Sequence, residues 1–145
     1  MSKEQYLQQI IDTGVVAVIR ANNPEQLSLI TVALNEGGVK ALEITMTSPG
    51  AIETIKSVTE KLGERAIIGV GSVLDSETAR AAILAGAKFV VSPIYNPSIV
   101  ALCRRYSIMC IPGAFTPTEI LTAWEGGADV VKIFPAGNVG GPSYV

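Results

Sequence analysis

The 145-residue sequence contains no histidine, and this absence restricts the chemistry open to the protein. Without histidine there is no Ser-His or Cys-His catalytic arrangement and no metal site built on imidazole. If the protein is an enzyme, acid–base work falls to carboxylates, lysine, tyrosine or cysteine. Cysteine is also scarce: Cys103 and Cys110 are the only two, and their spacing fits neither a disulfide framework nor a metal motif.

The chain also lacks a large excess of either charge and any long apolar run. Its formal net charge is −2, which argues against a basic surface for nucleic acid or anionic membranes. No apolar run approaches the ~20 residues needed to span a bilayer. Residues Met1 to Gln5 lack the basic-then-apolar layout of a signal peptide. We therefore expect a soluble, cytoplasmic protein with no nucleic-acid or membrane partner.

One unit recurs along the chain: a short β-branched apolar run, a turn, a helical stretch and a glycine. The runs are spaced by about 20 to 26 residues, which is the length of one βα unit. They begin near Val15, Ala41, Ala66, Phe89, Ile108 and Val130. Alternating strands and helices of this size predict a parallel sheet covered by helices. Residues 3–13 predict an extra helix before the first strand.

Capping side chains indicate where the helices begin. A cap followed by proline at the first helical position occurs in Asn23-Pro24, Ser48-Pro49, Asn96-Pro97 and Thr116-Pro117. Glu119 completes a capping box with Thr116. Asp75 is predicted to cap a further helix that begins near Ser76.

Six units are compatible with two architectures. A closed eight-stranded barrel usually needs at least ~200 residues, so the chain would be a single (β/α)-barrel domain over residues 1–145, a C-terminally truncated TIM (β/α)8 barrel of about six units. Alternatively, it is an open doubly wound sheet that is complete as given. The pattern of strands and turns alone does not separate these.

Three charged residues lie within or at the end of predicted strands. Ligands of parallel α/β folds bind at the carboxyl ends of the strands. Arg20 closes the first strand, Glu43 lies within the second and Lys132 within the sixth. Charges at the start of a strand are more often solvated ends without a chemical role, and this interpretation is given to Lys40, Arg65, Lys88 and Asp129.

Alternation along strands predicts where these side chains point. Glu43 shares a face with Thr45, and Lys132 shares one with Phe134, and we expect the Glu43 face to point into the barrel. A buried charge is costly unless it is paired or used. A desolvated lysine offers a free amine to a carbonyl, a nearby carboxylate can move protons, and Arg20 can hold an anion by a forked pair of hydrogen bonds. The alternative is a structural Glu43–Lys132 ion pair with Arg20 as an ordinary strand-end charge.

Glycine and proline also mark strand ends, in Gly69-Val70-Gly71-Ser72, Ser92-Pro93 and Pro112-Gly113. Glycine at such positions permits close approach of the backbone to a ligand, although tight turns explain any single one equally well. The first of these segments is not a dinucleotide-binding fingerprint, because the third glycine and its spacing are missing.

Six segments, in order at the ends of successive strands, carry a resemblance to a known family. They are Val16-Ala17-Val18-Ile19-Arg20, Leu42-Glu43-Ile44-Thr45, Ile68-Gly69-Val70-Gly71-Ser72-Val73, Val91-Ser92-Pro93, Ile111-Pro112-Gly113 and Val131-Lys132-Ile133-Phe134-Pro135-Ala136. On these segments the sequence resembles the class I 2-keto-3-deoxy-6-phosphogluconate (KDPG)/4-hydroxy-2-oxoglutarate (KHG) aldolases over essentially the whole chain.

The resemblance implies a TIM barrel, usually a homotrimer, that uses no metal or other cofactor. The implied reaction is the reversible cleavage of a 2-keto-3-deoxy sugar acid, typically 6-phosphorylated, or of 4-hydroxy-2-oxoglutarate, to pyruvate and an aldehyde. Lys132 matches the Schiff-base lysine and Glu43 the general acid/base. The substrate-binding positions implied in the same way are Arg20, Thr47, Ser72, Pro93 and Phe134.

Three departures accompany the resemblance, two of them substitutions and the third the length of the chain. Thr47 stands where some members carry a substrate-binding arginine, and Ser72 stands where threonine is common. Family members also continue through a seventh and an eighth strand with phosphate-binding loops, which this sequence lacks, so the first and sixth strands are expected to be unpaired edges. An inactive fragment or assembly scaffold and a different phosphate-binding barrel, such as a sugar-phosphate isomerase, are the competing hypotheses.

Overall fold

The computed structural model describes residues 1–145 as six α-helices alternating with seven short parallel strands. The strands are β1 Val16–Ile19, β2 Ala41–Thr45, β3 Ile67–Gly71, β4 Phe89–Val91, β5 Met109–Ile111, β6 Gly113–Ala114 and β7 Lys132–Ile133. The helices are α1 Lys3–Thr13, α2 Pro24–Glu36, α3 Ala51–Leu62, α4 Ser76–Leu84, α5 Pro97–Arg105 and α6 Pro117–Glu125, with 3₁₀ turns at Gly63–Arg65, Gly137–Val139 and Gly141–Ser143. The predicted extra helix over residues 3–13 is confirmed.

Seven strands occur where six were predicted, because Pro112 divides the fifth. Proline has no N–H to donate to a neighbouring strand, so the ladder is interrupted there. The chain nevertheless continues in the same direction, since the carbonyls of Cys110 and Pro112 accept hydrogen bonds from the backbone of Asp129 (3.0 Å) and Lys132 (2.9 Å). β6 and β7 therefore extend the line of strands beyond β5.

The strand order excludes the doubly wound sheet. A doubly wound sheet reverses its strand order at a switch point, which places helices on both faces. Here β1 to β5 are neighbours in sequence order and all parallel. One large apolar cluster, which includes Leu42, Ile44 and Val70, packs the outer sheet face against α2 to α5. All four helices thus cover one face, as in a singly wound barrel.

The opposite, inner face carries a second, smaller cluster. It consists of Ala41, Ile67, Phe89, Val91, Met109 and Ile111, and Tyr6, Leu7 and Ile10 of α1 pack against it. Helix α1 therefore lies at the N-terminal ends of the strands, where it covers the inner core. β1 pairs only with β2, and β7 only with β6, so the first and last strands are edges as predicted.

Asp129 connects helix α1 to strand β5. The prediction that it is a solvated charge at the start of a strand was wrong. Its carboxylate accepts from Lys3 Nζ of α1 at 2.6 Å and from the backbone N–H of Cys110 in β5 at 2.8 Å. Only 15% of its side chain is exposed. One carboxylate thus joins the first helix to the inner core.

Most predicted helix starts are confirmed, and one is wrong. Asn23, Asp75, Asn96 and Thr116 each accept a hydrogen bond from the first turn of their helix, and Thr116 forms the predicted capping box with Glu119. Ser48 does not cap α3, which begins at Ala51 after Gly50 in a left-handed conformation (φ 67°). The Ser48 hydroxyl is buried and accepts from the backbone N–H of Ala21 instead. The longest helix, α2, has 13 residues, and none of the helices is long and apolar enough to cross a membrane.

Candidate active site

The charged residues singled out in the sequence meet at the C-terminal ends of the strands. Arg20 follows β1 directly, Glu43 lies in β2 and Lys132 begins β7. Ala41 and Val130 belong to the inner cluster or pack against it. Because side chains two residues apart in a strand share a face, Glu43 lies on the same inner face as Ala41, and Lys132 is close enough for its charge to act on the Glu43 carboxyl group. The predicted orientation into the barrel is confirmed.

Glu43 is the most deeply buried charged residue of this group, with 4% of its surface exposed. Its carboxyl group makes no hydrogen bond to any protein group, although the neighbouring strands surround it. Burial raises the pKa of Glu43 above its ordinary value, and the positive charges of Lys132 and then Arg20 oppose that rise. The carboxyl group therefore lies within the electrostatic influence of both cations.

Glu43 and Lys132 do not form a structural ion pair. Across the chain, only Lys3 and Asp129 bring a charged nitrogen and a carboxylate oxygen within 4.0 Å of each other. The interpretation of Glu43 and Lys132 as a directly paired filling of the barrel is therefore wrong. The charge of Lys132 still acts on the Glu43 carboxyl group, although the two groups are more than 4.0 Å apart. A substrate could therefore bind between them and contact both.

Lys132 is held by its backbone and half-buried by its surroundings. Its N–H donates to the Pro112 carbonyl at 2.9 Å, and it stands opposite Gly113 in the β6–β7 pairing. Its Nζ lies 4.9 Å from the centroid of the Phe134 ring, on the same face of the strand. This is a cation–π contact of the protonated side chain, and its Nζ forms no hydrogen bond or ion pair with another protein group.

Arg20 has an exposed side chain, but the backbone around it is tied to β2. The Thr45 hydroxyl donates to the Ile19 carbonyl at 3.4 Å, and Ser48 Oγ accepts from the Ala21 N–H at 3.2 Å. Thr47, a predicted substrate-binding residue, has its hydroxyl 2.9 Å from that of Thr45. The hydrogen bonds of Thr45 and Ser48 to the backbone beside Arg20 were not predicted from the sequence, because they depend on how β1 and β2 are placed side by side.

The remaining predicted residues lie at the same end of the sheet. Ser72 follows β3 with a left-handed backbone (φ 60°), which is unusual for a residue other than glycine. Pro93 and Phe134 line a cavity of about 500 Å³ together with Tyr95, Phe115 and residues of α6. Neither Glu43 nor Lys132 lines this cavity, so it adjoins the cluster of charged residues and does not contain it.

The strand-end glycines make room for other parts of the protein. A Cβ atom at position 69 would collide with the ring of Phe89, one at position 71 with the Glu43 side chain, and one at position 113 with the backbone of Pro93. We expected such glycines to allow the approach of a ligand or to form tight turns. The structure instead places protein atoms over all three.

Replacing Glu43 by glutamine is expected to raise the free energy of unfolding at neutral pH by about 1 kcal/mol, the scale of a single stabilising change. Because burial raises the pKa of Glu43 in the folded state, the protonated carboxyl contributes stability that is fully present below about pH 4.5 and lost as the pH rises through the raised pKa. Urea unfolding of both proteins across this window measures the difference. If Glu43→Gln raised the free energy of unfolding equally at acid and neutral pH, the gain could not come from the raised pKa of Glu43.

Comparison with known proteins identifies the family. The family model described as KDPG and KHG aldolase matches residues 7–145. The chain belongs to the KDPG and KHG aldolase family. A curated member, the 2-dehydro-3-deoxy-phosphogluconate aldolase of Treponema pallidum, is 39% identical over 131 residues, covering 90% of this chain and 62% of the relative. The chain thus spans about three fifths of the length of that aldolase.

Solved aldolase structures confirm the fold. The chain superposes on a native KDPGal structure with a TM-score of 0.81 at 32% identity, covering 89% of this chain and 62% of the other. It also matches the KDPG aldolase of Legionella pneumophila, solved with pyruvate captured at low pH as a covalent carbinolamine, with a TM-score of 0.73 at 27% identity over 88% of this chain and 60% of the other. The sheet of this aldolase-family chain is therefore an arc of a TIM barrel.

Proposed function

We propose that the protein is a class I aldolase that reversibly cleaves a 2-keto-3-deoxy-6-phospho sugar acid, 4-hydroxy-2-oxoglutarate, or both, to pyruvate and an aldehyde. The observation that carries the proposal is the meeting of Lys132 and Glu43 on the inner face of the barrel, within electrostatic range but not paired. An amine and a carboxylate placed in this way suit imine chemistry, because the amine bonds to the keto carbon of the substrate while the carboxylate moves protons at neighbouring atoms.

In the proposed reaction, the Lys132 amine adds to the keto carbon of the substrate. A C–N bond forms, the carbonyl oxygen takes up one proton from the amine and a second from the protonated Glu43 carboxyl group, and its departure as water leaves a cationic imine and the Glu43 carboxylate. The bond that breaks joins the carbon adjacent to the imine to the following, hydroxyl-bearing carbon: its electron pair moves towards the imine to give an enamine, while the hydroxyl-bearing carbon becomes an aldehyde as its hydroxyl proton passes to Glu43. Protonation of the enamine carbon and hydrolysis of the imine then release pyruvate and restore the amine.

Arg20 is proposed to hold the carboxylate of the pyruvate unit by a forked pair of hydrogen bonds. The tethers from Thr45 and Ser48 support this role, because they fix the backbone on both sides of Arg20. Ser72, Pro93 and Phe134 are proposed to line the pyruvate end of the pocket, with Thr47 nearer the rest of the substrate. The place of Phe134 beside the Lys132 amine supports its assignment.

We further propose that the protein is cytoplasmic and acts as a homotrimer. Exposed apolar side chains support self-association: Trp124 of α6 is 61% exposed, and Leu121 and Ile94 are more than half exposed. Surfaces of this kind commonly mark protein–protein contacts. The exposed edge of β1, with Val15 and Val18, is a second apolar surface and supports the competing hypothesis of an assembly scaffold.

Substrate cleavage tests the proposal directly. The chain is expected to release pyruvate from 2-keto-3-deoxy-6-phosphogluconate or from 4-hydroxy-2-oxoglutarate, as measured by a coupled assay for pyruvate. Arginine in place of Lys40, an exposed lysine at the start of β2 and thus at the opposite end of the sheet, serves as the control and should leave the rate unchanged. A folded chain that releases no pyruvate from either compound would contradict the proposed activity and favour the scaffold.

A further inference from the structure

Two glycines follow one another on the inner face of β3. In the pairing of β2 with β3, Glu43 stands opposite Gly69 and Thr45 opposite Gly71. Residues two apart share a face, so Gly69 and Gly71 face the same interior as the Glu43 side chain. Both glycines are fully buried in the sheet.

Different side chains occupy the space over the two glycines. Over Gly69 lies the ring of Phe89, which reaches across from β4. Over Gly71 lies the Glu43 side chain from β2: a Cβ atom at position 71 would stand 2.6 Å from Cδ of Glu43 and 2.8 Å from Cγ, and closer still to a carboxyl oxygen. Glu43 therefore leans along its strand, away from the residue opposite and towards Gly71.

The requirement at position 71 is for space and not for an unusual backbone. The backbone of Gly71 does not have the positive φ that favours glycine. An alanine at this position would thus suit the backbone but collide with the carboxyl group. This separates Gly71 from turn glycines such as Gly50, where φ itself favours glycine.

No direct polar contact with the protein fixes the Glu43 carboxyl group. It accepts no hydrogen bond from the protein and is bound to no cation within 4.0 Å. Its position is consequently set by the walls around it, and one of these walls is the bare backbone of Gly71. A shift of even about an ångström in a proton-transfer group can cost a factor of about 100 in rate.

We propose that Gly71 is a positioning residue for Glu43: by carrying no side chain, it leaves the space in which the carboxyl group is held beside the Lys132 amine. The inference rests on the proposed function, in which Glu43 moves protons at the imine-bound substrate. Gly71 itself touches no reacting atom in this proposal and acts only through the location of the carboxyl group.

The variant Gly71→Ala tests the proposal through two reactions of pyruvate. Exchange of the pyruvate methyl protons for deuterium needs both the imine and the base, whereas the amount of adduct trapped by borohydride at equilibrium needs the Lys132 amine alone. Exchange by the variant is expected to fall about 100-fold, while the trapped adduct stays within about twofold of the wild-type amount. The pH midpoint of the remaining exchange should also move down, because the displaced carboxyl group is less buried.

A double-mutant cycle keeps the test valid if Gly71→Ala folds poorly. Adding Glu43→Ala removes the side chain that the new methyl group meets, so the double variant should recover the denaturation midpoint of Glu43→Ala alone. As a control, Val70→Ala on the outer face of the same strand should lower the midpoint equally with or without Glu43 and leave the pH midpoint of exchange unmoved.

Two results would overturn the proposal: exchange by Gly71→Ala at the wild-type rate and pH midpoint, or a loss of stability that persists undiminished when Glu43 is alanine. Failure of the proposed function looks different, because the wild-type chain itself would then give no trapped adduct. In that case a ¹³C titration of the Glu43 carboxyl still decides whether Gly71 sets its location. An unchanged pKa in Gly71→Ala would exclude it.

Discussion

Arginine in place of Lys132 is expected to abolish both deuterium exchange of pyruvate and aldol cleavage, with a loss of at least about 1000-fold, because covalent catalysis is removed entirely. The guanidinium group stays protonated and offers no free amine to a carbonyl. It keeps the positive charge that Glu43 experiences and can still stack on the Phe134 ring, so the change separates nucleophilicity from charge. Exchange followed by proton NMR and pyruvate release in the coupled assay measure the loss.

The matched control for this variant is Lys40→Arg, at the start of β2. Lys40 is exposed and its side chain makes no hydrogen bond or ion pair, so the same substitution should leave both rates within about twofold. Circular dichroism checks that both variants are folded. Substantial exchange by a folded Lys132→Arg protein would remove Lys132 from the nucleophilic role and favour a reaction without an imine.

Glutamine in place of Glu43 is expected to slow deuterium exchange by about 100- to 10,000-fold, the usual contribution of a positioned general base. The amide neither gains nor loses a proton, whereas the Lys132 amine is untouched. Borohydride should therefore still trap an adduct, although more slowly, because loss of water from the carbinolamine also benefits from the carboxyl group. The variant thus separates proton transfer by Glu43 from imine formation by Lys132.

The pH dependence of exchange carries the signature of Glu43. Only the ionised carboxylate accepts a proton, so the wild-type rate should rise with pH through the pKa of Glu43, which burial raises above its ordinary value. This rise should disappear in Glu43→Gln and persist in Glu53→Gln, which alters an exposed carboxylate of α3. A rise of the same shape in Glu43→Gln would assign the titrating group elsewhere.

The predicted fold was correct as far as local patterns determine it. Each βα unit is set by apolar runs, caps and glycines that lie close together in the sequence, and the strands and helices were found there. Strand order is a property of distant segments, which is why the barrel and the doubly wound sheet could not be separated before the β1-to-β5 order was known. Pro112 shows where prediction from local patterns fails: whether it interrupts β5 depends on which strand pairs with β5, and that strand is distant in the sequence.

The candidate site was predictable where alternation along one strand was enough. Glu43 and Lys132 were found because each is a charge inside an apolar strand. Features that join two strands escaped: the Ser48 hydroxyl was assigned to a helix cap but binds the Ala21 N–H beyond β1, and Asp129 was assigned to solvent but joins α1 to β5. Gly71 escaped for the same reason, since its space matters only once the Glu43 side chain is seen to lean into it.

The most direct test of the account is borohydride reduction of the wild-type chain in the presence of pyruvate, followed by proteolysis and mass spectrometry. The account predicts one reduced pyruvyl group per chain, carried by the peptide that contains Lys132. Lys40, Lys88 and the remaining lysines should stay unmodified. A folded chain with no adduct, or with the adduct on a different lysine, would contradict it.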